Sequence, residues 1–397
     1  MTLYTGLMLQ AVALGKQAYD ITGREIDIGW IGLAEFLPAA VLVLVTGVIA
    51  DRYNRKKIVM FGVSGELLSA LALLFYARTN PTAVAPLFLI AFLYGISRAF
   101  ISPAARSMWP MVAPPGGLPA VVALSSATWT GAAIVGPAIS GLLYSIDPWV
   151  AYAGASFLIT VGMASLSRVK LHRSVVVETR ERPTLHHALE GLRFIRQTPI
   201  LLAAISLDLF AVLFGGAVAL LPVIAEEQLK VGDVAYGWLR AAAGIGAAGM
   251  AIFLAFHPVR RHVGRLLFVM VGAFGMSTIV LGITHVYWVA FAAVIVLSAA
   301  DMVSVFIRGS LVPLVTPDEK RGRVLAVENV FIGGSNELGA FESGLASQAF
   351  GASTAVVGGG VATLGIVGLW WYLFPSLKNV DRFSDLEDSA GTGDTAS

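Results

Sequence analysis

The chain contains no cysteine, and only 13% of its 397 residues are charged. Without cysteine there is no disulfide, no thiolate zinc or iron–sulfur centre and no thiol nucleophile. The scarcity of charge excludes more. Soluble chains carry about 25% charged and about 45–50% apolar residues. Here 57% are hydrophobic and the mean hydropathy is +0.78. So few polar side chains cannot cover a water-facing surface of this size. A soluble enzyme, a disordered regulator and a disulfide scaffold are excluded together, and a polytopic membrane protein in contact with the lipid bilayer is expected. The net charge of +2 gives no ground for a nucleic-acid partner, because distribution matters more than sum.

A membrane helix needs about 20 mostly apolar residues. Apolar stretches occur near 2–18, 28–50, 58–77, 84–105, 119–144 and 148–167. Six more lie near 199–222, 234–256, 264–284, 286–308, 324–348 and 353–374. The expected organisation is a six-helix bundle over 1–167, a linker over 168–198, a second bundle over 199–375 and a disordered tail over 376–397. In the linker Leu185, Ala188, Leu189, Leu192 and Ile195 recur at helical spacing, predicting an amphipathic interfacial helix. The first stretch begins at Met1 and meets Lys16 after about 24 Å of helix. This is read as a truncated or unusually short first span, and truncation is favoured. A signal peptide would need a basic start and a small-residue cleavage site.

Basic residues mark cytoplasmic loops. With twelve spans, twenty Lys and Arg fall in the loops and tail of one face, and Arg24, Arg78 and Lys230 alone on the other. Four more, Lys16, Arg98, Arg240 and Arg308, lie inside helices. Both termini are therefore expected in the cytoplasm. The halves also align. A shift of 203 residues carries Pro110 and Pro114 to Pro313 and Pro317, and Gly131, Gly136 and Gly141 to Gly334, Gly339 and Gly344. Duplicated bundles of this kind carry a substrate site at the midplane.

Two segments stand out. Gly47-Val-Ile-Ala-Asp51-Arg52-Tyr53-Asn54-Arg55-Lys56-Lys57 joins spans two and three. A small residue, an acid and several bases at a membrane exit can latch one conformation and release it in another. A plain positive-inside anchor would explain the bases but not Gly47 or Asp51. In span five, Gly131-Ala-Ala-Ile-Val-Gly136-Pro137-Ala-Ile-Ser140-Gly141 sets small residues about a turn apart around a proline. That pattern gives close packing and a bend, as generic helix packing also would.

On these residues the chain resembles the major facilitator superfamily, in particular its enterobactin-exporter-like and macrolide-efflux-like branch. The first segment, with Gly47, Asp51, Arg52, Arg55 and Lys56, is similar to the superfamily's gating signature. The second, with Gly131, Gly136, Pro137 and Gly141, resembles the fifth-helix antiporter signature and departs from it at Ser140. Arg98 is placed like a fourth-helix arginine tied to proton coupling, although Ser102, Pro103 and Ala104 replace that motif's glycine-rich end. The stretches 316–323 and 332–339 look like the exporter branch. The resemblance covers nearly the whole chain. It implies an all-α, twelve-helix fold, alternating access and export driven by proton entry, in a bacterial inner membrane and as a monomer.

Charge inside a membrane is costly, so it pairs or faces a cavity. The intramembrane candidates are Glu35, Glu66, Arg98, Asp208, Arg240, Asp301, Arg308, Glu328, Glu337 and Glu342, with Asp20 at the rim. Asp20, Glu35 and Arg98 are the proton-coupling candidates. Asp301, Arg308, Asn329, Asn336 and Glu337 are the cavity candidates. Helical spacing puts Asn329 and Asn336 on one face, Glu328 and Glu342 on a neighbouring one, and Glu337 away from both. Gly244-Ile-Gly246-Ala-Ala-Gly249 matches a dinucleotide fingerprint in letters only, since it lies inside an apolar span with no strand before it. The six histidines lack metal-site spacing, so neither metal nor cofactor is expected. The expected partners are a small amphipathic substrate, such as a siderophore or drug, and protons. The alternatives are an importing symporter or facilitator and a non-transporting sensor. An enzyme is not expected, because no nucleophile, base or metal groups converge.

Overall fold

The computed structural model describes residues 1–114, 116–169 and 185–386, except the side chains of 43–45, 47–52, 102–103, 106–107 and 185–188. In chain order the helices are α1 (Thr2–Thr22), α2 (Glu25–Arg52), α3 (Arg55–Ala77), α4 (Ala85–Val112), α5 (Leu118–Tyr144), α6 (Pro148–Ser167), α7 (Leu185–Gln197) and α8 (Pro199–Phe214). A 3-10 turn (Gly216–Leu220), the short α9 (Leu221–Val223) and a π-helical turn (Ile224–Gln228) follow. Then come α10 (Asp233–Phe256), α11 (Val263–Ile283), α12 (Tyr287–Val315), α13 (Asp318–Phe350), α14 (Ala352–Leu373) and α15 (Pro375–Lys378). Eight of the described helical stretches are long and apolar enough to cross a membrane by a strict measure. Exposed aromatics such as Phe61, Phe75 and Phe157 line their outer faces. Apolar surface on that scale is stable only against lipid, and the chain is a multi-pass membrane protein.

Local chemistry sets the helix ends. Asn54 caps α3 by accepting from the Lys57 N–H at 3.2 Å, and Asp147 caps α6 by accepting from the Trp149 N–H at 3.3 Å. Gly23 ends α1 with φ 62, its N–H bonded to the Tyr19 carbonyl at 2.7 Å. Only a residue without a side chain adopts that turn cheaply. α1 therefore does not stop near Lys16. Its 21 residues span about 31 Å, close to the hydrocarbon thickness. The helix can pass Lys16 and Asp20 because these two charges bond to each other.

The chain forms two compact units, Met1–Arg182 with Leu221–Gly244, and Pro183–Leu220 with Ile245–Ser397. In the first, α1 is packed between α5 and α6 around Leu9, Ala13, Leu14, Tyr152 and Ala155. Gln17 accepts from the buried Tyr152 hydroxyl at 2.7 Å. The second is built on Leu201, Leu207, Leu267, Phe268, Ile307 and Leu311. α7 belongs to it, with Ile195 buried, whereas Leu189, expected on the same apolar face, is exposed; the side chains of Leu185 and Ala188 lie outside the described part. Gly191 lets α7 approach α13, where an added Cβ would lie 2.7 Å from the Arg323 carbonyl oxygen.

The tail departs from the disorder expected from 376. Leu377, Val380 and Leu386 are buried in the core of the second unit. Backbone N–H groups of Val263 and Gly264 donate to the carbonyls of Asp381 (3.2 Å) and Val380 (3.0 Å). Three apolar side chains thus dock a segment that composition alone reads as solvated. Residues 387–397 lie outside the described part.

The internal repeat has a structural counterpart. A Cβ on Gly136 would lie 3.2 Å from the Thr5 carbonyl oxygen and 3.3 Å from the Leu9 nitrogen of α1. A Cβ on Gly339 would lie 2.7 Å from the Val212 carbonyl oxygen of α8. The shift of 203 that relates the two glycines also relates Leu9 to Val212 and buried Ser140 to buried Ser343. Each unit thus repeats one close helix crossing at equivalent positions.

Candidate functional site

Three groups of charge are held within the helical units. The first surrounds Lys16, near the end of α1. Its ammonium pairs with Asp20 one turn on, with Glu226 at 3.0 Å and with Asp233 at 3.6 Å. Tyr144 of α5 donates to the second oxygen of Asp20 at 2.7 Å, and Tyr19 donates to Glu227 at 2.5 Å. The Lys16 side chain is 9% exposed, whereas Asp20 and Glu226 are 32% and 54% exposed. One buried cation therefore faces three acids at differing depth. Asp20 was expected at the rim as a coupling acid; the structure places it here, bonded on both oxygens. Glu226, Glu227 and Asp233 were not singled out from the sequence, because they sit where hydropathy reads an ordinary loop.

The second group joins α2, α3 and α4. Arg98 Nη1 lies 3.9 Å from Glu35 Oε2, so the two coupling candidates do meet as an ion pair. Glu66 of α3, one of the intramembrane charges noted in the sequence, shares the electrostatic field of both. Glycines draw these helices together. A Cβ on Gly65 would lie 2.2 Å from the Ser97 hydroxyl, and one on Gly95 would lie 2.1 Å from the Glu35 carbonyl oxygen.

The third group is in the second unit. Arg308 of α12 is buried and pairs with Asp208 of α8 at 2.8 Å and Glu328 of α13 at 3.6 Å. Asp208, Asp301 and Ser304 line a small cavity with Val271 and Phe274. Of the cavity candidates, Asp301 lines this cavity, and Arg308 acts on Asp301 through its charge without lining the cavity. Asn329 and Asn336 do not line it: each donates to the carbonyl one turn back, Leu325 at 2.8 Å and Ile332 at 2.7 Å. An amide that satisfies its own helix has one donor fewer for a ligand. Glu337 is half-buried on the same helix.

In the gating segment the side chains of Gly47, Asp51 and Arg52 lie outside the described part. Arg55 donates to the Met111 sulfur at 3.3 Å. Lys56 donates to the carbonyls of Ser167 and Val169, both at 2.7 Å, and so caps the negative end of α6. In the antiporter-like segment Gly131 lies open, 3.5 Å from the Met1 side chain for an added Cβ. Gly136 meets α1, and Ser140 donates to the Leu9 carbonyl at 3.0 Å. Gly141 meets α10, and the Pro137 carbonyl oxygen would lie 2.7 Å from a Cβ on Gly237. The segment is therefore a contact surface of α5 for two helices. Two of the three fingerprint-like glycines of α10 serve packing, Gly244 against the Ala133 carbonyl and Gly246 against the Ile295 carbonyl, while Gly249 faces open space.

Comparison with known proteins agrees with this architecture. A family model described as Transmembrane secretion effector, of the MFS type, matches residues 2–389. An uncharacterized MFS-type transporter, YfiS, of Bacillus subtilis (strain 168) is 27% identical over 276 residues, covering 67% of this chain and 62% of the relative. Macrolide efflux protein A of Streptococcus pyogenes is 30% identical over 150 residues, 36% of each chain. The chain thus spans less than two thirds of the length of either relative in these matches. Among solved structures, a D-xylose-proton symporter superposes with a TM-score of 0.74 at 12% identity, over 95% of this chain and 96% of the other. At that identity the likeness is one of fold.

Proposed function

We propose that this chain, which belongs to the Transmembrane secretion effector family of the major facilitator superfamily, is a secondary active transporter. It exports a small amphipathic compound, such as a drug or siderophore, in exchange for protons. The observation that carries this reading is the composition of the three charge groups. Lys16 faces Asp20, Glu226 and Asp233; Arg98 faces Glu35 and Glu66; Arg308 faces Asp208 and Glu328 with Asp301 nearby. Each has one base for two or more acids. Excess carboxylate in a low-dielectric interior is costly unless it takes up protons. Groups that load and unload protons as their surroundings change can couple substrate movement to a proton gradient.

Asp20, Glu35 and Arg98 are the coupling residues in this reading. The bound compound contacts mostly apolar walls and a few polar groups, Asp301 and Arg308 among them. Export as the direction is supported by the resemblance of Gly131, Gly136, Pro137 and Gly141 to an antiporter signature and by the macrolide-efflux relative. The basic residues of one face support both termini in the cytoplasm, and the bacterial relatives support a bacterial inner membrane. The test is substrate-induced proton release in inverted vesicles, using a panel of siderophores and hydrophobic drugs on the wild type and Arg98→Ala. A signal that Arg98→Ala abolishes supports the reading. Silence from vesicles shown to hold folded wild-type protein would count against export of this panel.

A further inference from the structure

Glu66 is the most enclosed of the three side chains in the α2–α3–α4 group. It is 1% exposed, and its Oε2 has no hydrogen-bond donor. Arg98 is half exposed and lies toward Glu35 at 3.9 Å. The arrangement follows from backbone contacts. Gly65 precedes Glu66 and abuts Ser97; Ser97 precedes Arg98; Gly95 abuts the Glu35 backbone. Three helices thus cross at small residues, and each presents an ionisable side chain at the crossing. α4 adds the buried phenol of Tyr94, one turn before Arg98. α6, packed on α3, carries only Tyr152, which is bonded to Gln17.

We infer that Glu66 is the proton-binding group of this site, and that Arg98 is a counter-ion shared between Glu66 and Glu35. The inference rests on the proton-exchange reading for its use in transport, but not for its chemistry. An ionised carboxylate with an oxygen that meets no donor is unstable in a dry interior, whereas a protonated one is not. With the proton on Glu66, the guanidinium pairs with Glu35, which is the arrangement seen. When the O–H bond of Glu66 breaks and the proton passes to water, the new carboxylate is matched if the long Arg98 side chain swings to it. That movement leaves Glu35 to solvent and changes which helices are tied together. Glu66, an acid outside the coupling candidates read from the sequence, then carries a proton beside Glu35 and Arg98.

The experiment is a pH titration of the full-length protein in lipid nanodiscs by difference infrared spectroscopy, with protons as the only ligand. The wild type should show a protonated-carboxyl band that titrates. Glu66→Gln, an isosteric change, should remove it, Glu66→Asp should shift it, and Glu35→Gln, which frees Arg98 for Glu66, should keep the band but move its titration to lower pH. A band that survives Glu66→Gln, or that only Glu35→Gln removes, would overturn the assignment, as would its absence from the wild type. If Glu66→Gln folds poorly, the shift in Glu66→Asp decides. A Glu66-dependent band without substrate-linked proton movement in vesicles would leave the assignment standing and remove the exchange reading instead.

Discussion

Gly141 of α5 and Gly237 of α10 meet backbone to backbone: a Cβ on Gly141 would lie 2.7 Å from the Gly237 Cα. Neither helix could come this close with any larger residue at either position. The segment that resembles an antiporter signature thus serves to bring backbones together. Gly141→Val is expected to destabilise the protein by about 1–3 kcal/mol through overpacking. Thermal unfolding in detergent would show it, with Gly131→Ala, at an open position, as the near-neutral control.

Removing Lys16 leaves three carboxylates without their cation. Lys16→Met should cost about 1–3 kcal/mol, less than a fully buried pair because Glu226 and Asp20 are partly solvated. Adding Asp20→Asn should recover part of the loss. Equal stability of the single and double variants, measured by the same unfolding assay, would show that the pair is not coupled.

Arg308 is the opposite case, with cation and acids all buried. Arg308→Met should cost about 3–5 kcal/mol, because Asp208 and Glu328 are stranded. Replacing those acids as well, by Asp208→Asn and Glu328→Gln, should restore most of the stability. A triple variant as unstable as the single one would mean that the network is not held by charge.

These groups show what the sequence could and could not disclose. The helices, the repeat and the packing glycines were legible because each depends on local spacing. Asp301 and Arg308 were legible as candidates because charge inside an apolar span stands out. The distant partners of Lys16 were not: Glu226 is 210 residues away in sequence and lies in the π-helical turn that ends its span. The central place of Glu66 depends on where three helices cross, and nothing on α3 alone distinguishes it from a structural acid. The docking of Leu377, Val380 and Leu386 was missed because the polar residues around them dominate the composition.

The docked tail provides a pH test. The His262 backbone N–H, then the charges of His262, Arg261 and Arg382, hold the Asp381 carboxyl below its ordinary value of 3.8. A depressed folded-state value means that this contribution is present above the unfolded value and lost as pH falls through the folded one. The Val263 and Gly264 amides should therefore stay protected from hydrogen exchange near neutrality. They should lose relative protection only below pH 3.8. Asp381→Asn should abolish that acid step, and an unchanged step in this variant would remove Asp381 as its cause.

The most direct test of exchange uses proteoliposomes with an imposed pH gradient and a radiolabelled macrolide as probe. The macrolide should accumulate against its own gradient, moving opposite to the protons, with a protonophore collapsing the accumulation. Movement in the same direction as the protons, or simple equilibration that ignores the pH gradient, would contradict exchange.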